Sequence, residues 1–220
     1  DTKLYSQDLE IFQIYPLKFR YIEECSKHSL DFLKNEIKHH HLLKKDLEWL
    51  ENKKFITYVC TAKKTNKRIF PEELKIIQDL SDFCMRRGIF LYIKPKPDGL
   101  IEDFKSLRIN EYIFVGTGKA ADEINMLNDN YHRFRYFLLR QTSLVINIGT
   151  TFVLEAALVN SPILQLSPSI NYPNRQFRES CRPAHLEHFL HSIKGNFVYD
   201  GNFSTIEQII EKFIDTDNYN

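Results

Sequence analysis

From Asn52 onward, the sequence alternates short apolar runs with longer segments of helical pattern, and this alternation limits the fold more than any other feature. Runs that are apolar throughout predict strands that are buried on both faces. We predict strands at residues 55–60, 89–93, 112–115, 143–148 and 162–166, with a last short strand at 197–199. Because helical segments separate them, these strands should form βαβ units. The predicted fold is α/β, a doubly wound parallel sheet preceded by a helical segment.

The predicted helices lie between these strands, at residues 71–87, 101–107, 120–140 and 151–159, and after the last strand at 204–214. Pro71 suits a first helical turn, Gly88 suits the end of the same helix, and Ser204 suits an N-cap. The Pro- and Arg-rich segment after residue 166 predicts a loop. Residues 21–52 have an amphipathic pattern, which we interpret as connecting helices rather than core. The chain is therefore divided into a linker with amphipathic helices at 1–52 and an α/β domain at 53–220.

Charge and residue usage exclude several classes of protein. Thirty basic and 29 acidic residues give a net charge of +1, without the basic surplus of a nucleic-acid-binding domain. The four cysteines form no CxxC pair, and the run of three histidines at 39–41 points in three directions around a helix, so we expect no metal site. Apolar stretches of about 20 residues are absent, so we predict no membrane span. Because the chain begins with Asp1 rather than Met, we expect it to be part of a longer protein.

Cationic residues follow several of the predicted strands. Lys63 and Lys64 follow the first strand, Lys94 follows the second, and Arg175 and Arg178 follow the fifth. In doubly wound sheets, ligands bind outside the carboxyl ends of the strands, near the point where the strand order reverses. The cations therefore predict a site for an anionic ligand such as a phosphate. The alternative is that these segments are ordinary Lys-rich surface loops.

The segment 143–164 combines a buried strand, a turn of small residues and a short helix. The strand ends at Gly149, and Thr150 and Thr151 provide hydroxyl and backbone N–H groups at the start of the helix, which suits a diphosphate. Glu155 lies about one helical turn further on and could accept hydrogen bonds from a ribose diol. A Thr N-cap followed by a solvated glutamate would explain the same residues equally well.

These residues resemble a known family. The strand, the small-residue turn, Glu155-Ala156-Ala157 and Ser161-Pro162-Ile163-Leu164 are similar to the nucleotide-sugar-binding half of GT-B glycosyltransferases. That group includes transferases of capsular and surface polysaccharides and the CDP-glycerol glycerophosphotransferases, and the UDP-N-acetylglucosamine 2-epimerases share its fold. The segment 91–97 also resembles the Lys-Pro-His-Pro strand end of these transferases, with Lys96 where His is frequent.

The resemblance implies a Rossmann-like donor-binding domain at 53–220 of a metal-independent glycosyltransferase. It implies that Gly149, Thr150 and Thr151 bind the diphosphate and that Glu155 binds the ribose. The donor would be a nucleotide sugar or a CDP-polyol, the acceptor a saccharide, and the acceptor-binding domain would precede this chain. No other cofactor is implied, and no catalytic residue is identified. We expect a cytoplasmic location or a peripheral one at the inner face of the membrane. The alternatives are a sugar-nucleotide epimerase of the same fold and a nucleotide-binding module without turnover.

Overall fold

The sheet of this protein is parallel throughout and has six strands. The computed structural model describes residues 19–41, 43–61, 68–96, 101–107, 110–116, 129–181 and 196–215. The strands are β1 (Phe55–Val59), β2 (Phe90–Lys94), β3 (Ile113–Val115), β4 (Leu144–Asn147), β5 (Ile163–Pro168) and β6 (Asn196–Tyr199). Their order is β3-β2-β1-β4-β5-β6, and all neighbouring strands are parallel. This confirms the predicted α/β fold, in the Rossmann-like strand order that reverses between β1 and β4.

Helices connect the strands and cover the sheet. They are α1 (Arg20–Ser26), α2 (Leu30–Lys38), α3 (Lys44–Leu50), α4 (Pro71–Arg87), α5 (Asp129–Gln141), α6 (Phe152–Leu158), α7 (Arg175–Ser180) and α8 (Phe203–Asp215), with a 3-10 helix at Ile101–Ser106. Pro71 begins α4, and Gly88 ends it with a φ of 65°. Within the described ranges, none of the helices combines the length and the hydropathy that a membrane crossing requires.

Two helices differ from the prediction. Helix α7 forms where the sequence predicted a loop, because the Asn174 side chain accepts a hydrogen bond from the Phe177 N–H and the Phe177 ring is buried. A single buried residue in so short a helix leaves no apolar period to detect. At α8, the Asn202 side chain accepts from both the N–H and the hydroxyl of Ser204, so Asn202 takes the capping role predicted for Ser204.

The prediction that residues 21–52 only connect was wrong, because α1, α2 and α3 cover one face of the sheet. Leu33, Ile37 and Leu47 belong to one buried cluster with the strand residues Phe55 and Val145. Helices α5 and α6 contribute to the same cluster, whereas α4 and α8 pack on the opposite face. A parallel sheet must be covered on both faces, and α1 to α3 meet part of that requirement.

Leu33→Ala should therefore lower the free energy of unfolding of the whole α/β body by about 2–5 kcal/mol, because a fully buried leucine is replaced by a cavity. The neighbouring Phe32 on the same helix is 43% exposed, so Phe32→Ala should change it by about 0.5 kcal/mol or less. Urea denaturation followed by circular dichroism measures both variants. Equal small effects would mean that α2 does not belong to the core.

Candidate functional site

The carboxyl edge of the sheet brings together a short row of residues at the point where the strand order reverses. Val59 at the end of β1 is in register with Lys94 of β2 on one side and Asn147 of β4 on the other. Side chains in register across parallel strands point to the same face of a sheet. Lys94 and Asn147 therefore lie at the edge where doubly wound folds form a ligand-binding crevice, and we call this edge the crevice below.

The buried side chain of Asn147 shapes the turn that follows β4. Its amide group lies 2.5 Å from Oγ1 of Thr150 and 2.5 Å from Oε1 of Gln165 on the neighbouring strand β5. The hydroxyl of Thr150, which the sequence assigned to a phosphate, is therefore held by the sheet itself. Sequence analysis missed Asn147 because it lies inside the predicted strand at 143–148, where a single polar residue carries no distinctive signal.

Gly149 allows another part of the chain to approach this turn closely. Its φ is 88°, and a Cβ at this position would lie 2.6 Å from the carbonyl carbon of Cys181, which follows α7. Backbone from beyond β5 therefore covers one side of the predicted phosphate turn. Thr150 and Thr151 remain half-buried beside it. The assignment of Gly149, Thr150 and Thr151 to a diphosphate stays a prediction. The Cys181 backbone already occupies the space next to the Cα of Gly149.

Glu155 is buried and paired inside the protein. It is 1% exposed, one oxygen accepts the Tyr21 hydroxyl at 2.5 Å, and the other forms an ion pair with Arg135. The alternative of a solvated glutamate is therefore wrong. A ribose diol, the predicted partner, could reach the Glu155 carboxylate only by displacing Tyr21 or Arg135.

The protonation states of this cluster follow from burial and from the Glu155 carboxylate. Burial raises the pKa of the Tyr21 hydroxyl, and Arg135 lowers it by less than burial and Glu155 raise it. Burial by itself would lower the pKa of Arg135, but Glu155, Tyr21 and Tyr131 together outweigh that effect, so the pKa of Arg135 is raised. Tyr21 is therefore a neutral donor and Arg135 a cation across the physiological pH range.

Lys94 is a nearly buried cation at the crevice. Only 8% of the residue is exposed, and Nζ lies 4.9 Å from the ring centroid of Phe152, the first residue of α6. Within the part of the chain that the structure describes, no carboxylate lies within ion-pair distance of this ammonium group. A buried cation is costly unless an anion or a hydrogen-bond network compensates it. Lys94 is thus a suitable residue to hold an anionic ligand.

The other predicted cations have different surroundings. Arg175 is exposed and pairs with Glu179 at 2.6 Å on the same helix. Arg178 donates to the carbonyl oxygens of Ile170 and Tyr172 and so stabilises the loop between β5 and α7. Both arginines therefore already have protein partners. Lys63 and Lys64 lie outside the described residues.

Glu73 is a buried acid at the end of β1 that sequence analysis did not single out. Located in the first turn of α4, it accepts hydrogen bonds from the Thr61 N–H at 2.7 Å and from the Tyr58 hydroxyl at 3.4 Å. Burial raises the pKa of Glu73 well above its usual range, although these two bonds oppose the shift. In the sequence, Glu72-Glu73 resembles the ordinary pair of acids at a helix start. Only the folded chain distinguishes Glu73, which is fully buried.

Neither a cluster of metal ligands nor a known relative identifies the function of this site. Among the described residues, no group of three His, Cys, Asp or Glu side chains is placed to hold a metal ion. Comparison of the chain with protein-family models, curated proteins and solved structures finds no match.

Gly149→Ala tests the close contact at the turn. Gly149 and Gly88 both have positive φ, but a Cβ at position 88 would meet nothing within 4 Å. Gly88→Ala should therefore lower the free energy of unfolding by about 1 kcal/mol from backbone strain. Gly149→Ala should lower it by about 1–3 kcal/mol more, because the Cys181 backbone must also move. Thermal and urea denaturation compare the two variants, and equal losses would contradict the contact.

Glu73→Gln should stabilise the protein relative to the wild type as the pH rises. The folded pKa of Glu73 is above its unfolded value of about 4.3, so the folded state retains the proton and the contribution of Glu73 to wild-type stability falls as the pH increases above that value. Glutamine has no proton to lose. The variant should therefore gain stability over the wild type at high pH, by about 1.4 kcal/mol for each tenfold difference in proton affinity between the folded and unfolded states.

Urea denaturation at pH 5 and pH 8 measures this gain. The exposed Glu111→Gln is the matched control and should leave the pH dependence of the wild type unchanged. If the stability of Glu73→Gln relative to wild type is the same at both pH values, Glu73 does not retain its proton in the folded protein.

Proposed function

We propose that this chain is the donor-binding domain of a glycosyltransferase and that it holds the diphosphate of a nucleotide-activated donor beside Lys94. The observation that carries the proposal is the Lys94 ammonium group, which is nearly buried at the crevice and has no carboxylate partner in the described ranges. A diphosphate would supply the missing negative charge. The proposed diphosphate site consists of Lys94 on β2 and the turn that follows β4.

The position of Lys94 beside a turn of small residues supports a ligand that contains phosphate. It lies in the same row as Asn147, and its ammonium group contacts the first residue after the turn that contains Thr150 and Thr151. Backbone N–H groups and hydroxyls of such turns are common partners of phosphate. Lys63 and Lys64, which the sequence also assigned to the anion, lie outside the described residues and stay a prediction.

The step from binding to transfer rests on the resemblance to GT-B glycosyltransferases. In the proposed reaction, the bond between the sugar carbon and the diphosphate oxygen breaks, and the nucleoside diphosphate leaves with the bonding electron pair. An acceptor hydroxyl forms the new bond to that carbon, and its proton passes to water. Charge on the departing diphosphate would be stabilised by Lys94. With protein cations in that role, no metal ion is needed. The saccharide acceptor would be bound by a further domain or chain, in the cytoplasm or at the inner face of the membrane.

A second candidate function is a nucleotide-binding module without turnover. It is favoured by Glu155, because the carboxylate that the resemblance assigns to the ribose is already paired with Tyr21 and Arg135. A module of this kind would bind the diphosphate through Lys94 without the ribose contact that a donor site of the family uses.

Lys94→Met should weaken binding of nucleoside diphosphates about tenfold or more, because a charge-assisted contact contributes about 1.5–3 kcal/mol. Isothermal titration with UDP, CDP, GDP and CMP, and with uridine and cytidine, measures the effect. The nucleosides carry no phosphate, so their binding should not change. Lys38→Met removes an exposed lysine at the end of α2 and serves as the matched control.

The same titrations decide between the candidates. If none of the nucleotides binds the wild type, or if Lys94→Met leaves diphosphate affinity unchanged, the proposed site is wrong. Binding of a nucleoside diphosphate without hydrolysis or transfer from the corresponding sugar donor, in the presence of saccharide acceptors, would favour the module without turnover.

A further inference from the structure

Three helices from different parts of the chain meet in one buried polar cluster. Tyr21 of α1 donates to Glu155 of α6, and Arg135 of α5 pairs with the other oxygen of the same carboxylate. Tyr21 also stacks on His132 of α5, with 4.4 Å between the ring centroids. Helix α1 is thus attached to α5 and α6 by directional contacts as well as by apolar packing.

The Arg135 guanidinium depends on this cluster for its position. Its central carbon lies 5.7 Å from the ring centroid of Tyr21, 5.5 Å from that of Tyr131 and 5.4 Å from that of Phe152. Its Nε is buried and has no hydrogen-bond partner in the described part of the chain. The guanidinium is therefore held by Glu155 and three aromatic rings, and its Nε–H donates to none of the described residues. Loss of one support should allow the guanidinium to move.

Phe152 connects this cluster to the crevice. The Arg135 guanidinium and the Lys94 ammonium group both contact its ring, at 5.4 Å and 4.9 Å from the centroid. Phe152 directly follows the turn of Thr150 and Thr151. A displacement of Arg135 would therefore change the surroundings of Lys94 and of the turn together.

We propose that Tyr21 is a positioning residue, which places Phe152, the adjoining turn and the Lys94 ammonium group through Glu155 and Arg135. Through this path, the N-terminal helix α1 controls how well the crevice accepts an anion, although Tyr21 itself does not touch the ligand. The effect on ligand affinity rests on the proposed function. The effect on the turn does not, because the contacts that carry it are present in the protein alone.

Tyr21→Phe tests the proposal with the smallest change, since it removes the hydroxyl and keeps the ring. Tyr136→Phe is the matched control: Tyr136 is also 8% exposed and lies on α5, and its hydroxyl makes no hydrogen bond in the described ranges. In hydrogen–deuterium exchange, the backbone amides of residues 149–153 should exchange on the order of tenfold faster in Tyr21→Phe than in the wild type or the control. Amides of β1, β2 and α4 should be unchanged.

Titration with UDP and CDP provides the second readout. Tyr21→Phe should weaken diphosphate binding several-fold and leave uridine and cytidine binding unchanged, whereas Tyr136→Phe should alter neither. Unchanged exchange at residues 149–153, an equal rise throughout the protein, or a local rise with unchanged diphosphate affinity would overturn the positioning role. If the wild type binds no diphosphate, the proposed function fails while the exchange comparison alone decides whether Tyr21 positions the turn.

Discussion

Burial of the parallel sheet on both faces is the constraint on which the rest of the structure depends. All five residues of β1 are buried, so helices must cover this central strand from two sides. Helices α4 and α8 cover one face, and α1 to α3, with α5 and α6, cover the other. The N-terminal helices are therefore part of the body that forms the crevice. The contact between Tyr21 and Glu155 is possible because of that arrangement.

The sequence predicted the elements well because their signals are local. Apolar runs identified the strands, and Pro71 and Gly88 identified the ends of α4, since each of these residues acts through its own backbone. The partner of an amphipathic helix is not local. Leu33 and Ile37 revealed that α2 buries one face, but their spacing could not reveal that this face packs on the sheet. The short helix α7 was missed because one buried ring sets no period.

The candidate site was harder to predict because residue type does not reveal which partners a side chain finds. Glu155 suits a ribose by its chemistry and its spacing, yet Tyr21, 134 positions earlier, takes one of its oxygens. Arg178 suits a phosphate, yet nearby carbonyl groups use its donors. Asn147 and Glu73 were not singled out, because burial gives them their importance. Among the described cations that the sequence assigned to an anion, Lys94 alone is nearly buried without a carboxylate partner.

The contact between Gly149 and Cys181 ties together two connections that lie far apart in the chain. Since the two backbones touch with no side chain between them, neither segment can change its path alone. Insertions or deletions in the connection after β5 would shift the turn after β4 as well. Variation in that connection should therefore be tolerated at the exposed residues near Ile170 and restricted close to Cys181. A redesign of either connection would therefore have to treat both segments as one unit.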